Sequence, residues 1–213
     1  AISDRVFGDL LKSIRVGVTE LDISAEISWL HKRYGAEKDA FEPIVASGER
    51  GAYPHARAST RRIRNHELVT LDFGCTVNGY HSDLTRTLAV GKPTERARRM
   101  YDVVLGAQTA AVAAARGGMP ARALDAVARE FIAKKGFGKF FQHSLGHGLG
   151  LRVHEAPRVS TASNETLLAG NVITIEPGVY IPRVGGVRIE DDLLITRTGH
   201  EVLTTATKQL VIL

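Results

Sequence analysis

Cysteine is nearly absent: Cys75 stands alone among 213 residues. That excludes an internal disulfide and fits a reducing compartment such as the cytoplasm. Aromatic residues are scarce at 6%, and the basic residues behind the formal charge of +5 are scattered. The densest basic groups, Arg61-Arg62-Ile63-Arg64 and Arg96-Ala97-Arg98-Arg99, have no aromatics between them. Nucleic-acid binding needs a clustered footprint, so no nucleic-acid partner is expected. Long hydrophobic runs are missing too. No apolar stretch nears the roughly 18 residues of a membrane span, so no membrane partner is expected. No basic-then-apolar leader opens the chain, and a cytoplasmic location is the expectation. No linker or low-complexity segment divides it, so residues 1–213 read as one domain.

What is present is one device that occurs twice: an apolar strand carrying an acid, a tight return, and a second strand carrying another acid. The first copy runs from Val69 through Asp72 to Gly74, turns at Asn78-Gly79, and returns through Ser82-Asp83-Leu84-Thr85-Arg86-Thr87. Asn-Gly between β-forming residues is the strongest short hairpin signal, because both turn residues take positive φ. A two-residue loop there sets Val77 opposite Tyr80 and Asp72 opposite Thr85. Asp83 then shares a face with Asp72 as its diagonal neighbour, with Cβ atoms roughly 5–8 Å apart. Two ionised carboxylates that close on an apolar face repel each other, and a divalent cation is the remedy.

The second copy runs from Val172 through Glu176 to Gly178, turns through Pro182 to Gly186, and returns through Val187, Arg188, Ile189 and Glu190 to Asp192. A five-residue loop sets Ile181 opposite Val187 and Glu176 opposite Asp192, and repeats the diagonal offset for Glu190. A four-residue loop would put the two glutamates on opposite faces.

Helical periodicity fills much of the rest. Val6, Leu10, Leu11 and Ile14 predict a helix capped by Ser3, and Ile27, Leu30 and Tyr34 a second one starting near Ser24, capped by Asp22 or Ser24. Thr94 opens a long helix ended by Gly117-Gly118, and Pro120 opens another that stops near Gly136. Short strands are expected over Phe41–Gly48, around Glu201-Val202-Leu203 and at Leu210-Val211-Ile212. Between helices and second hairpin lies Gln142–Glu155, with His143, His147 and His154. His143 and His147 have the spacing of a helical metal pair, but Gly146, Gly148 and Gly150 argue against helix. A loop running into an extended strand is expected instead.

Were the four acids to converge with one imidazole, the set would be rich in oxygen and free of thiolate, suiting manganese, cobalt, iron or zinc. Four carboxylates are too much charge for one divalent ion. Two ions about 3.5–4 Å apart would balance them and hold a hydroxide able to attack a carbonyl. Arg188 would meet a substrate carboxylate or fix an acid.

The run Ser47-Gly48, Pro54-His55, Asp72-Phe73-Gly74, Gly79-Tyr80, Ser82-Asp83-Leu84-Thr85-Arg86-Thr87, Gly146-His147-Gly148, His154-Glu155, Glu176-Pro177-Gly178 and Arg188-Ile189-Glu190-Asp191 resembles the pita-bread metallopeptidases, most of all their proline-specific branch of Xaa-Pro dipeptidases (prolidases) and Xaa-Pro aminopeptidases. The resemblance covers nearly the whole chain. It implies an α+β fold, internally duplicated, with a curved antiparallel sheet covered by helices. It implies that Asp72 chelates one metal, that His147 and Glu176 hold the other, and that Asp83 and Glu190 bridge. Glu176 would be general base, His55, His143 and His154 would contact substrate or carry protons, and Arg188 would support the site. Manganese is the implied metal, with cobalt or zinc as alternatives. The substrate would be a proline-containing dipeptide or short peptide, and the assembly a homodimer. Methionine aminopeptidase activity, or a catalytically inactive binding module, is the alternative reading. Proline-specific members carry a further N-terminal domain, so this chain reads as a fragment or as a compact member.

Overall fold

The structure is a computed structural model describing residues 1–213. The chain begins with helices α1 (Ile2–Leu10) and α2 (Glu20–Arg33), then β1 (Lys38–Asp39), β2 (Ile44–Ser47) and a 3₁₀ turn over Gly48–Ala52. The first acid hairpin follows as β3 (Glu67–Phe73), β4 (Cys75–Val77), β5 (Tyr80–His81) and β6 (Leu84–Val90). Two helices come next, α3 (Glu95–Ala114) and α4 (Ala121–Lys134). Then come β7 (Gly146–Gly148), β8 (Glu155–Val159), β9 (Val172–Ile175), β10 (Gly178–Ile181), β11 (Gly185–Arg188), β12 (Asp191–Ile195) and β13 (His200–Val202). No helix is long and apolar enough to cross a membrane.

Each half has its own core. Val6, Phe7 and Leu10 of α1 and Ile23, Ile27 and Leu30 of α2 pack on Val69, Leu71 and Leu88 of β3 and β6. Met100, Val104, Ala107 and Ala111 of α3 and Leu124, Ala128 and Ile132 of α4 pack with Ile173, Ile175, Val187 and Leu193 of the second half. The alanines of α3 let that helix lie close to the layer beneath it, as periodicity predicts. Every strand pairing is antiparallel, in the orders β2-β3-β6, β1-β4-β5, β10-β11 and β13-β12-β9-β7-β8.

The first hairpin has the expected register. Asn78 and Gly79 take φ of 51° and 78°, Val77 pairs with Tyr80, and Asp72 pairs with Thr85. The second hairpin is tighter than expected. Ile181 pairs with Gly185 rather than facing Val187, and Asp192 pairs with Thr174 rather than Glu176. Val184 N–H returns to Ile181 O at 3.0 Å, with Pro182 and Arg183 (φ 62°) at the turn, the arrangement that a type II turn requires. The loop thus shrinks from five residues to three. Because the shift is even, Glu176 and Glu190 keep a common face and stand across from each other instead of diagonally.

Two helix starts also differ. Ser3 does not cap α1; it is buried, and its hydroxyl lies 2.9 Å from Ser82 Oγ. Helix α2 starts at Glu20, before the expected Ser24, because Thr19 and Asp22 form a reciprocal capping box. At the chain end, Leu210–Ile212 makes one parallel bridge to Ala89 instead of a full strand.

Candidate metal centre

Three of the four acids sit where a ladder breaks. Asp83 lies between β5 and β6, Glu176 between β9 and β10, and Glu190 between β11 and β12; Asp72 is near the end of β3. At these breaks the backbone bonds outside its own hairpin. Glu190 N–H donates to Thr85 O at 3.1 Å, Glu176 N–H to Leu145 O at 2.8 Å, and Asp83 N–H to Asp192 Oδ2 at 3.1 Å. The two halves are therefore stitched together at the acids themselves.

His147 occupies the middle of β7, which is squeezed between β8 and β9. A Cβ on Gly146 would lie 1.9 Å from Thr174 O, and one on Gly148 2.2 Å from Ala156 O. Both obstacles are main chain and cannot rotate away. Gly146→Ala is expected to cost about 1–3 kcal/mol through overpacking and to weaken metal binding by displacing His147. Thermal melting with and without manganese, together with a manganese titration, checks both effects.

The side chains converge on the floor of a cleft of about 700 Å³ that Phe41, Ile44 and Val153 help to line. Asp83, His147 and Glu190 each bring one ligand atom to within 4.8 Å of the other two, a grouping that could hold a metal ion. His147 Nε2 is 3.7 Å from Asp83 Oδ2 and 3.4 Å from Glu176 Oε1. Its Nδ1 lies 3.0 Å from Gly148 O, a carbonyl that can only accept, so the proton is on Nδ1 and the Nε2 lone pair faces the acids. Burial holds His147 neutral by pushing its pKa down to about 4.

The carboxylates are crowded. Burial, then the charges of Glu190 and Asp72, raises Asp83 well above the usual carboxylate range. Burial, then Glu176 and Asp72, does the same to Glu190. Burial pushes Glu176 up to about 8 against the opposing pull of Arg188. Asp72 Oδ1, Asp83 Oδ1 and Glu190 Oε1 are buried and accept no hydrogen bond from the protein. Buried oxygens of this kind are costly unless something positive meets them. Unpartnered oxygens around a free imidazole nitrogen are the donor set a hard or borderline divalent ion takes, so the residues fit a metal.

Arg188 resolves one of the two roles expected of it. Its guanidinium is buried and engaged with Asp72 Oδ2 (2.5 Å), Tyr180 Oη (2.8 Å), Pro54 O (3.2 Å) and Thr85 Oγ1 (3.2 Å). It fixes an acid, and four of its five N–H donors are already taken. His143 is half-buried, and desolvation pushes its pKa down to about 4. Its Nδ1 is 2.8 Å from Ser144 O, so Nε2 accepts the Tyr180 hydroxyl at 2.8 Å. His55 and His154 are exposed and line the cleft, His154 with its ring 4.3 Å from that of His147.

Two further residues of the site escape sequence reasoning. Tyr180 joins His143 to Arg188, and Thr85 donates to Glu190 Oε2 at 2.6 Å while accepting from Arg188. Thr85 carried a signal, since it stands opposite Asp72 in the hairpin. Tyr180 carried none beyond being a polar aromatic in an apolar strand.

Comparison with known proteins places this geometry. The model of metallopeptidase family M24 matches residues 1–197. The chain belongs to that family. The Xaa-Pro dipeptidase of Pyrococcus furiosus is 49% identical over 210 residues, covering 99% of this chain and 60% of the relative. Among solved structures, an Xaa-Pro dipeptidase from Bacillus anthracis matches at a TM-score of 0.99 and 46% identity, over 100% of this chain and 60% of that one. An X-Pro aminopeptidase from Thermotoga maritima MSB8 matches at 0.97 and 41%, again over 100% and 60%. The chain thus spans about 60% of the length of the curated relatives it matches. Its antiparallel sheets and covering helices are the α+β pita-bread architecture, as expected for an M24 member.

Proposed function

We propose that this chain is the catalytic domain of a metal-dependent peptidase that hydrolyses the Xaa-Pro bond of dipeptides or short peptides. The observation that carries the reading is the gathering of unpartnered buried oxygens on Asp72, Asp83 and Glu190 on the cleft floor, where the free Nε2 of His147 approaches Asp83 and Glu176. Asp72, Asp83, His147, Glu176 and Glu190 would hold two divalent ions, with manganese first among the metals because one imidazole among four carboxylates is a mainly hard donor set. When bound, such ions supply Lewis-acid polarisation of the scissile carbonyl and acidify water.

The remaining work falls to the side chains. Glu176, whose Oε1 lies 3.4 Å from His147 Nε2 on the cleft floor, takes the proton of the attacking water and passes it to the proline nitrogen as the bond breaks and that nitrogen leaves as a secondary amine. The exposed His154 and His55 present imidazoles toward substrate, while the neutral His143 reaches the reaction through the Tyr180 hydroxyl that its Nε2 accepts. Arg188 keeps Asp72 oriented. Phe41, Ile44 and Val153 offer a proline ring apolar contact. A homodimer in the cytoplasm is the setting proposed with this reading.

With manganese added, Ala-Pro and a longer Xaa-Pro peptide are the substrates to compare with a Met-Ala peptide. Cleavage of the dipeptide alone marks a dipeptidase, and cleavage of both proline substrates an aminopeptidase. Cleavage of only the Met peptide would overturn the proline reading, and no cleavage at all would overturn the peptidase.

A further inference from the structure

Helix α2 opens with a carboxylate shut away from water. Glu20 is its first residue and is 0% exposed. Only donors surround it. Oε1 accepts the N–H and the hydroxyl of Ser47, both at 2.8 Å. Oε2 accepts Arg50 Nε at 3.0 Å, Ser59 N–H at 3.1 Å and the Ser59 hydroxyl at 2.7 Å. The hydroxyl protons have no choice of direction. Ser47 Oγ already accepts from Arg61 Nη1 at 2.6 Å, and Ser59 Oγ from Arg61 N–H at 3.2 Å.

Ser47 and Ser59 are the two ends of one loop. Between them run the 3₁₀ turn and then Tyr53, Pro54 and His55. One carboxylate therefore closes the neck of an Ω-shaped loop. Glu20 N–H donates to Arg61 O at 3.1 Å and Leu21 N–H to Ser59 O at 3.0 Å, so the start of α2 reinforces the neck. The far end of the loop reaches the cleft. Pro54 O takes Arg188 Nη1 at 3.2 Å, and Pro54 and His55 line the wall. Helix α2 itself contributes no residue to the cleft lining.

We propose that Glu20 is a positioning residue for substrate binding: by tying both ends of the 47–59 loop it holds Pro54 and His55 where the substrate enters. The proposal rests on the peptidase reading of the cleft. It assigns a kinetic role to a buried acid on a helix that lies outside the site.

Glu20→Gln tests it. Glutamine keeps the volume but turns an amide NH₂ toward two or three donors, and the backbone N–H groups of Ser47 and Ser59 cannot reverse to meet it. The neck loosens. The KM for Ala-Pro should rise roughly tenfold while kcat stays within about twofold, since misplacing a binding group affects mainly the step it serves. The manganese titration should not move, and backbone amides of residues 53–58 should exchange hydrogen faster. Because Glu20 acts through the loop tip, adding Glu20→Gln to His55→Ala should raise KM little beyond His55→Ala alone. Full additivity, unchanged exchange, or a fall of kcat in step with melting temperature would overturn the proposal. Should Glu20→Gln not fold, Ser59→Ala removes one donor and must shift KM and exchange the same way by less. Absence of turnover in the wild-type protein would sink the peptidase reading instead, and the exchange rates would still decide whether Glu20 holds the loop.

Discussion

Replacing Asp83 or Glu190 by alanine should reduce manganese-dependent hydrolysis of Ala-Pro to background, a loss of at least roughly 10³-fold, the scale seen when a group that acts only as part of a catalytic unit is removed. The same change should leave a folded protein. Each side chain is buried among like charges, with one oxygen unmet by any donor. Taking one away deletes repulsion along with the ligand, so no hydrogen-bonded charge pair is broken open. The isosteric Asp83→Asn makes the point sharper. In metal-free protein at pH 8 it should melt above the wild type, because an amide in that place repels nothing. With manganese present the order should reverse, because the wild type gains binding energy that the variant cannot. Circular dichroism melts and metal stoichiometry read both effects. Turnover retained in both alanine variants would remove these residues from the mechanism.

How far the site was legible depends on what set each residue in place. The pairing of Asp72 with Thr85 could be counted from sequence because Asn78-Gly79 admits one tight turn, and every residue outward follows from it. The second hairpin offered Pro182-Arg183-Val184-Gly185-Gly186, which suits loops of more than one length. The count came out two residues long, and only the period of two kept Glu176 and Glu190 together. The early start of α2 was missed because Thr19 caps with Asp22 at the third position, where glutamate or glutamine is the usual sign. Tyr180 and Glu20 were out of reach for a different reason. Their partners, His143 for one and Ser47 and Ser59 for the other, are distant in sequence, and nothing local marks which donor will meet which acceptor. Local chemistry fixes turns and caps; the long-range polar network is decided only when the two halves close on each other.

That closing brings the second large effect, which concerns metal removal and pH. Glu176 and Asp192 are pushed up to about 8, and Asp83 and Glu190 lie well above their usual range, all chiefly by burial. In the unfolded chain these carboxyls titrate near 4. Between about pH 4 and 8 the metal-free folded state therefore holds protons that the unfolded state has released. Stability contributed by such groups is fully present below the unfolded value and is lost as pH rises through the folded one. Each retained proton lowers unfolding free energy by about 1.4 kcal/mol per pH unit across that window. Protein stripped with a chelator should thus melt progressively lower from pH 5 to pH 8. Manganese should reverse the trend, since a cation displaces the protons of Asp83, Glu176 and Glu190 and binds more tightly as they become easier to remove. The gap in melting temperature between loaded and stripped protein should then be small at pH 5 and widest at pH 8. A gap independent of pH would mean that Asp83, Glu176 and Glu190 are not what the cation meets, and a stripped protein that gains stability toward pH 8 would mean that the acids are not crowded at all.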